Sequence, residues 1–317
     1  MFDVLAIGEL LIDFACLSTD EDGYPTMAAH PGGAPANFLA ALQKFGARTA
    51  FISKVGDDAF GRMLTGTLQK AGIDTRGVKV SRDTFTTLAF VTFDETGNRE
   101  FSFSRKPGAD TRLCKDDIDT ALIDDARVLH FGTLSLTDEP ARSATQFAVA
   151  YAKAHGKHIT FDPNLRKPLW NDLAQAKEQM LWGLGQADVV KISDEEVEFL
   201  FPNLSFEAAA QKILTDFGVK LVFLTLGKDG CMFKNKNACA VVPGMTGLKT
   251  IDTTGAGDIF GGSAVWKLLQ TGKLPEALTE DELREVTRFA CTSAGLSTTR
   301  PGGISSVFTL EEILQAL

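Results

Sequence analysis

Strand-like apolar runs alternate with helical apolar periods along most of this 317-residue chain. The runs cover residues 4–12, 49–55, 128–136, 158–162, 188–192 and 220–226. Between them lie helical periods over 36–45, 61–71, 141–155, 173–184 and 206–217, with Gly46, Gly72, Gly156 and Gly218 placed to stop four of them. Two further helical periods span 259–270 and 280–296, and a short one closes the chain over 310–317. Parallel strands need a crossover, which a helix supplies. Regular alternation therefore predicts an α/β fold with a mostly parallel central sheet and helices on both faces.

Two segments break the rhythm. Residues 16–31 read as a loop-rich excursion after the first strand. Residues 85–104 show strand alternation with no helix: Thr86, Leu88, Phe90 and Thr92, a turn at Glu95-Thr96-Gly97-Asn98, then Phe101 and Phe103. That pattern predicts an antiparallel hairpin. Both excursions leave the α/β body and return, as a small β-rich lid would. The expectation is one domain over 1–317, with lid segments at about 14–32 and 84–105. Phe90, Phe93, Phe101 and Phe103 put more apolar surface on the hairpin than one exposed hairpin should carry. A homodimer through the lid is the corresponding expectation.

Lys and Arg number 32 against 41 Asp and Glu, a net charge of −9. That balance argues against nucleic-acid and anionic-membrane partners, so an anionic ligand would need a local site. Phe2-Asp3-Val4-Leu5 enters without a basic region, unlike a signal peptide. No apolar stretch is long enough to span a bilayer. Cys16, Cys114, Cys231, Cys239 and Cys291 are scattered and form no C-x-x-C pair. A reducing cytoplasm is the expected setting. The four histidines, His30, His130, His155 and His158, show no metal-ligand spacing.

The chemistry-bearing segment is Ile251-Asp252-Thr253-Thr254-Gly255-Ala256-Gly257-Asp258, running into the helical period over 259–270. Small residues at a helix mouth let backbone N–H groups converge into an anion cradle, which the helix dipole strengthens. Asp258 is awkward beside such a cradle if phosphate simply binds. It makes sense if the carboxylate takes a proton from a nucleophile while the cradle holds a phosphoryl group. The same residues also read as a glycine-rich cap on a core helix, with Asp258 complementing the dipole.

Other nucleotide signatures are missing. No Gly-Lys pair precedes Ser or Thr, so there is no Walker A loop. No G-x-G-x-x-G follows the first strand, which weighs against a dinucleotide-dependent oxidoreductase. Asp216-Phe217-Gly218 spells a protein-kinase metal motif but lacks its catalytic loop, and reads as a helix end with Gly218 as cap. The second informative segment is Pro31-Gly32-Gly33-Ala34-Pro35-Ala36-Asn37, which opens a helix. Its glycines permit close ligand approach, and Asn37 offers donors and an acceptor to hydroxyls. Alone, it reads equally as a Gly/Pro turn.

Gly32-Gly33-Ala34-Pro35-Ala36-Asn37, continuing to Gly46 and Gly56, resembles the N-terminal signature of the ribokinase-like (PfkB-type) sugar kinases. Asp252-Thr253-Thr254-Gly255-Ala256-Gly257-Asp258 is similar to their C-terminal signature. The resemblance runs in order over the whole chain. It implies a ribokinase-like fold and phosphoryl transfer from ATP to a sugar hydroxyl. Asp258 matches the family's catalytic base, and Gly255, Ala256 and Gly257 match its anion hole. Asp13, Gly33 and Asn37 match positions that meet sugar hydroxyls.

Thr225, Gly227 and Gly230 match the turn along the ATP. Lys191, Ser193 and Glu196 match the N-x-x-E region, with Ser193 where the family has Asn and Glu196 at the acidic position that orders water around Mg²⁺. Asp252, Thr254, Ser297, Arg300, Gly302 and Ser306 match positions that hold a monovalent cation, K⁺ by expectation. For the substrate, Phe103 and Arg105 at the base of the hairpin, and Asn164 and Arg166 after the strand at 158–162, look most like fructokinases. The expected reaction converts D-fructose to fructose 6-phosphate. The rival substrate is 2-keto-3-deoxygluconate, whose carboxylate basic groups in this region would hold. A non-catalytic sugar- or nucleotide-binding regulator is the remaining alternative.

Overall fold

The structure, a computed structural model, describes residues 1–93 and 99–317. The first half of the chain runs β1 (Phe2–Ile7), β2 (Leu11–Thr19), β3 (Pro25–Gly32), α1 (Ala34–Lys44), β4 (Thr49–Gly56), α2 (Ala59–Ala71), β5 (Asp74–Ser81), β6 (Leu88–Phe93) and β7 (Arg99–Ser104). It continues with α3 (Thr120–Asp124), β8 (Ala126–Gly132), α4 (Ala141–Ala154), β9 (His158–Asp162) and α5 (Leu173–Leu184). The second half follows with β10 (Val189–Ser193), α6 (Asp194–Leu200), α7 (Phe206–Phe217), β11 (Leu221–Thr225), β12 (Cys231–Asn235) and β13 (Cys239–Val242). Three helices, α8 (Ala256–Thr271), α9 (Glu280–Ser297) and α10 (Leu310–Ala316), close the chain.

The larger sheet has nine strands in the order β13-β12-β11-β10-β9-β8-β1-β4-β5. Neighbours from β11 to β5 are parallel, and β12 and β13 add an antiparallel edge. This is the mostly parallel sheet that the alternation predicts. Strands buried on both faces read as near-continuous apolar runs, as residues 4–7 of β1 and 221–224 of β11 do. Phe51, Phe131 and Phe161 are fully buried, and Phe131 stacks on Phe161 at 4.7 Å. Each such side chain contributes about 1.5–3 kcal/mol by leaving water.

The second sheet is small: four strands in the order β3-β2-β6-β7. Here the expectations need correction. Residues 4–12 do not form one strand; β1 ends at Ile7, and β2 leaves for the second sheet. Between them Glu9 turns inward, and its carboxylate accepts from the Ala34 N–H at 2.9 Å, which a straight strand could not allow. Residues 16–31 are not loop-rich either. They form most of the antiparallel pair β2 and β3, whose connection is pinned by Asp20 Oδ1 accepting from the N–H groups of Asp22 (3.0 Å) and Tyr24 (2.7 Å). The expected strand over 128–136 stops at Gly132, because Thr133 N–H and Oγ1–H both donate to Pro163 O and curl the chain.

The antiparallel hairpin appears as β6 and β7. Its predicted turn at 95–98 lies outside the described residues, as do the side chains of Phe93 and Phe101. Phe90 does not lie bare: it stacks on Phe14 at 5.2 Å, and Phe14 meets Phe60 of α2 edge-on at 5.6 Å. The elements β5, α6, β12 and β13 carry no clear signal in the sequence. Gly218, as expected, caps α7 with φ 74°.

Candidate active site

Every strand end that matters points to one edge of the large sheet. Asp162 closes β9, Ser193 closes β10 and Thr225 closes β11. In open parallel sheets, ligands bind beyond these carboxyl ends. Asp258, from the first turn of α8, lies there too.

Gly255 is the N-cap of α8 with φ 74°, a conformation that side chains rarely adopt. A Cβ there would also stand 3.0 Å from both Asn37 Nδ2 and Gly303 Cα. The first i→i−4 bond of the helix runs from Ile259 N–H to Gly255 O at 2.8 Å. The Gly257 and Asp258 amides precede it, at the positive end of the dipole. A Cβ on Gly257 would stand 3.2 Å from Lys191 Nζ, so the ammonium lies against this helix mouth.

Asp258 is nearly buried, and Asn37 Nδ2 donates to its Oδ2 at 2.9 Å. Asn164 Nδ2 donates to Oδ1 at 3.2 Å. Burial pushes the carboxyl up from its ordinary value; the Asn37 bond, Lys191 and Arg166 draw it back. The approach of α8 to α1 makes this meeting possible, since a Cβ on Gly262 would stand 2.3 Å from Phe38 O.

Lys191 Nζ sits 3.1 Å from Asp162 Oδ2. Burial works against the ammonium, but Asp162, Glu196 and Asp258 outweigh it and Lys191 holds its proton. Ser193 is the N-cap of α6 in a capping box with Glu196, accepting from the Glu196 N–H at 3.2 Å. Glu196 Oε2 accepts from Ser193 N–H at 2.8 Å, and Oε1 from Leu165 N–H at 2.7 Å. Glu196 thus ties the segment after β9 to α6.

On the side of the small sheet, burial pushes Asp13 up to about 7, Arg166 opposes that shift, and Asp258 and Asp252 add to it. Gly32 leaves room for this carboxylate, because a Cβ there would stand 2.1 Å from Asp13 Oδ2. Gly33, the N-cap of α1, has φ 112° and lies against Glu9 O. Phe103, on β7, is half-buried, and Arg166 is exposed. Arg105 is deeply buried and engaged: Nε donates to Asp110 Oδ2 at 2.8 Å, one terminal nitrogen to Thr137 Oγ1 at 2.8 Å, and the other to Leu134 O at 2.7 Å. The structure places it beneath the small sheet, where it holds β7 to the turn after β8.

Thr225, Gly227 and Gly230 surround the tight turn after β11; Leu226 N–H donates to Gly230 O at 2.8 Å. A cavity of about 240 Å³ opens beside it, lined by Val242, Pro243, Met245, Arg288, Cys291 and Thr292 among others. The loop around Asp252 is knitted by that carboxylate. Its Oδ1 accepts from Thr254 N–H (2.9 Å) and Oγ1–H (2.7 Å), and its Oδ2 from Gly302 N–H (2.9 Å). Ser297 and Ser306 hydroxyls donate to Ala294 O (2.7 Å) and Gly303 O (2.8 Å), so their oxygens face neighbours through lone pairs. Oxygen donors alone suit a hard cation. Arg300 is the exception: its guanidinium covers Phe308 at 3.4 Å and bonds Glu312 at 2.9 Å, leaving its backbone carbonyl as the group able to meet a cation.

Sequence reasoning passed over Glu9, Asp162 and His130 as site residues. His130 is buried under Phe38, stacked at 3.6 Å, and burial lowers it to about 3, so it stays neutral. Asp162, ending an apolar strand before a proline, carried a usable signal. Glu9 and His130 needed the fold.

The pfkB family carbohydrate kinase model matches residues 1–310. Fructokinase-2 of Solanum lycopersicum is 39% identical over 320 residues, covering 99% of this chain and 95% of that protein. A crystal structure of fructokinase with bound ATP from Xylella fastidiosa superposes with a TM-score of 0.91 at 29% identity, covering 99% of this chain and 97% of that one. A double-mutant fructokinase from Vibrio cholerae, in its fructose, ADP and potassium ion bound form, gives a TM-score of 0.87 at 30% identity, covering 99% and 98%. This chain belongs to the pfkB family of carbohydrate kinases.

Proposed function

We propose that the chain is a fructokinase: it transfers the γ-phosphoryl group of ATP to D-fructose, giving fructose 6-phosphate, with Asp258 as general base. One observation carries the mechanism. A buried carboxylate, oriented on both oxygens, stands in the first turn of a glycine-opened helix beside that helix's N-terminal amides. The fructokinase relatives, with ATP or with fructose, ADP and potassium bound, support the substrate assignment.

Asp13, Gly33 and Phe103 line the sugar's side, with Arg166 at the mouth. Asn37 and Asn164 each keep one amide N–H for a sugar hydroxyl. Alignment of that hydroxyl with the phosphorus supplies much of the rate. Asp258 accepts its proton once the two come within about 2.6–3.2 Å. The amides at Gly255, Ala256 and Gly257, with Lys191 behind them, stabilise charge on the group in transit. The turn at Thr225, Gly227 and Gly230 lies along the nucleotide, and the cavity beside it takes the base. The Ser193 cap holds Glu196 in place next to this path.

Mg²⁺, when bound with the nucleotide, neutralises phosphate charge, and Glu196 is the acidic group placed to order its water. The oxygens of Asp252, Thr254, Ser297 and Ser306, with the carbonyls of Arg300 and Gly302, are the set for K⁺. The small sheet acts as a lid that excludes water, a competing acceptor. Pairing of two copies through this lid would cover its exposed Leu17 and Tyr24. Five unpaired cysteines suit the reducing cytoplasm.

The test is kcat/KM with ATP for fructose, 2-keto-3-deoxygluconate, ribose and adenosine, each with and without K⁺. Fructose should lead by at least about tenfold, a difference of about 1.4 kcal/mol in transition-state binding, and K⁺ should raise its rate. A lead for ketodeoxygluconate would instead assign Arg166 to a substrate carboxylate.

A further inference from the structure

Two side-chain amides reach Asp258 from distant parts of the chain. Asn37 comes from the first turns of α1, 221 residues away in sequence, and bonds Oδ2 at 2.9 Å. Asn164 comes from the segment after β9, 94 residues away, and bonds Oδ1 at 3.2 Å. We propose that Asn37 and Asn164 are positioning residues for the base: they fix the plane of the Asp258 carboxylate and hold it ionised, a task separate from touching sugar. The proposal rests on the reading of Asp258 as base.

Both amides are themselves held in ways that sugar contact would not require. Asn37 Oδ1 is buried with no partner among protein groups, and a Cβ on Gly303 would stand 2.1 Å from it. An orphaned buried acceptor is costly, and native structures keep few. The alternative amide orientation would aim that oxygen at the carboxylate and be worse. Asn37 therefore has one workable orientation, with nitrogen toward Asp258. Asn164 has φ 45°, the one positive φ among described non-glycine residues. Strain of this kind persists where surrounding structure enforces it. Here the Asn164 N–H donates to Asp162 Oδ1 at 3.2 Å, and Asp162 is paired with Lys191. The unusual backbone aims the amide at Oδ1.

The charges around Asp258 show why such a clamp matters. Lys191 from β10 and Arg166 after β9 favour the carboxylate. Glu196 from α6, Asp13 from β2 and Asp162 from β9 disfavour it, and Asp252 bears on Asp13. Burial disfavours it further. One amide donor on each oxygen counters this and leaves a lone pair on each for the incoming hydroxyl.

The experiment is the pH profile of kcat for fructose with ATP, in wild type, Asn37→Ala and Asn164→Gly. Glycine accepts the φ of residue 164, so that variant loses the amide and keeps the backbone. Loss of a donor favours the protonated acid, so the acidic limb should move up by about one pH unit in each variant. KM for fructose rises less than kcat falls at pH 6. An acidic limb that stays in place while KM alone rises would overturn the proposal and leave both residues as sugar contacts. Thermal melting checks each fold, and Asn37→Ser serves if Asn37→Ala does not fold. If Asp258→Asn retains turnover, the assignment of the base has failed, which the Asn variants alone would not show.

Discussion

Glu9 shows how a single buried carboxylate fixes the path of the chain between the two sheets. It is almost inaccessible, accepts from Ala34 N–H at the head of α1, and is driven by burial up to about 7. The sign of its effect on stability follows. Between the ordinary value of 4.5 and about 7, the folded chain keeps a proton that the unfolded chain has released. Stability therefore falls as pH rises through that window. Gln at position 9 cannot ionise and keeps a carbonyl for Ala34. Glu9→Gln should gain on wild type between pH 5 and 8, by up to about 3 kcal/mol, in urea melts at both pH values. Parallel stability curves would contradict it. The local sequence does not show the burial of Glu9, since its partner is 25 residues away. Asp258 was legible because its neighbours are small and its helix is continuous. Arg105 was legible as a charge near the cleft, but not its three hydrogen-bond partners, which come from a turn after β8 and from Asp110.

At the scale of elements, local periodicity carried the helices and the parallel strands well. It failed where a strand changes sheets, at Gly8-Glu9-Leu10, and where strands are polar and half-exposed, as in β3. An edge strand such as β3 mixes Pro, Thr and His and shows no buried face to read. The α6 helix was hidden because Asp194, Glu195 and Glu196 read as a motif, whereas they are the acidic first turn of a capped helix. The small sheet bears its own prediction. Phe14 and Phe90 cover each other against α2, while Leu17 is 65% and Tyr24 70% exposed. If these form the pairing face, sedimentation at micromolar concentration should report a dimer, and Leu17→Glu with Tyr24→Ser should report a monomer. A wild-type monomer across that range would remove the lid-to-lid pairing.

Across the whole molecule, one geometric fact organises function. Asn37 and Phe38 of α1 and Lys191 of β10 meet the N-terminal half of α8, because its glycines let it press on α1. Neither signature alone distinguishes a reaction centre from a capped helix. In the fold the two signatures meet through the bond from Asn37 to Asp258, and Asn164 joins them from the segment after β9. Among the described residues no helix is long and apolar enough to cross a membrane. The most direct measurement is single-turnover phosphorylation of fructose by Asp258→Asn, alongside ATP affinity and melting temperature. The account predicts a rate lower by about 10²–10⁴-fold, with ATP affinity and melting temperature close to wild type. A variant that phosphorylates fructose at a near-wild-type rate would contradict it.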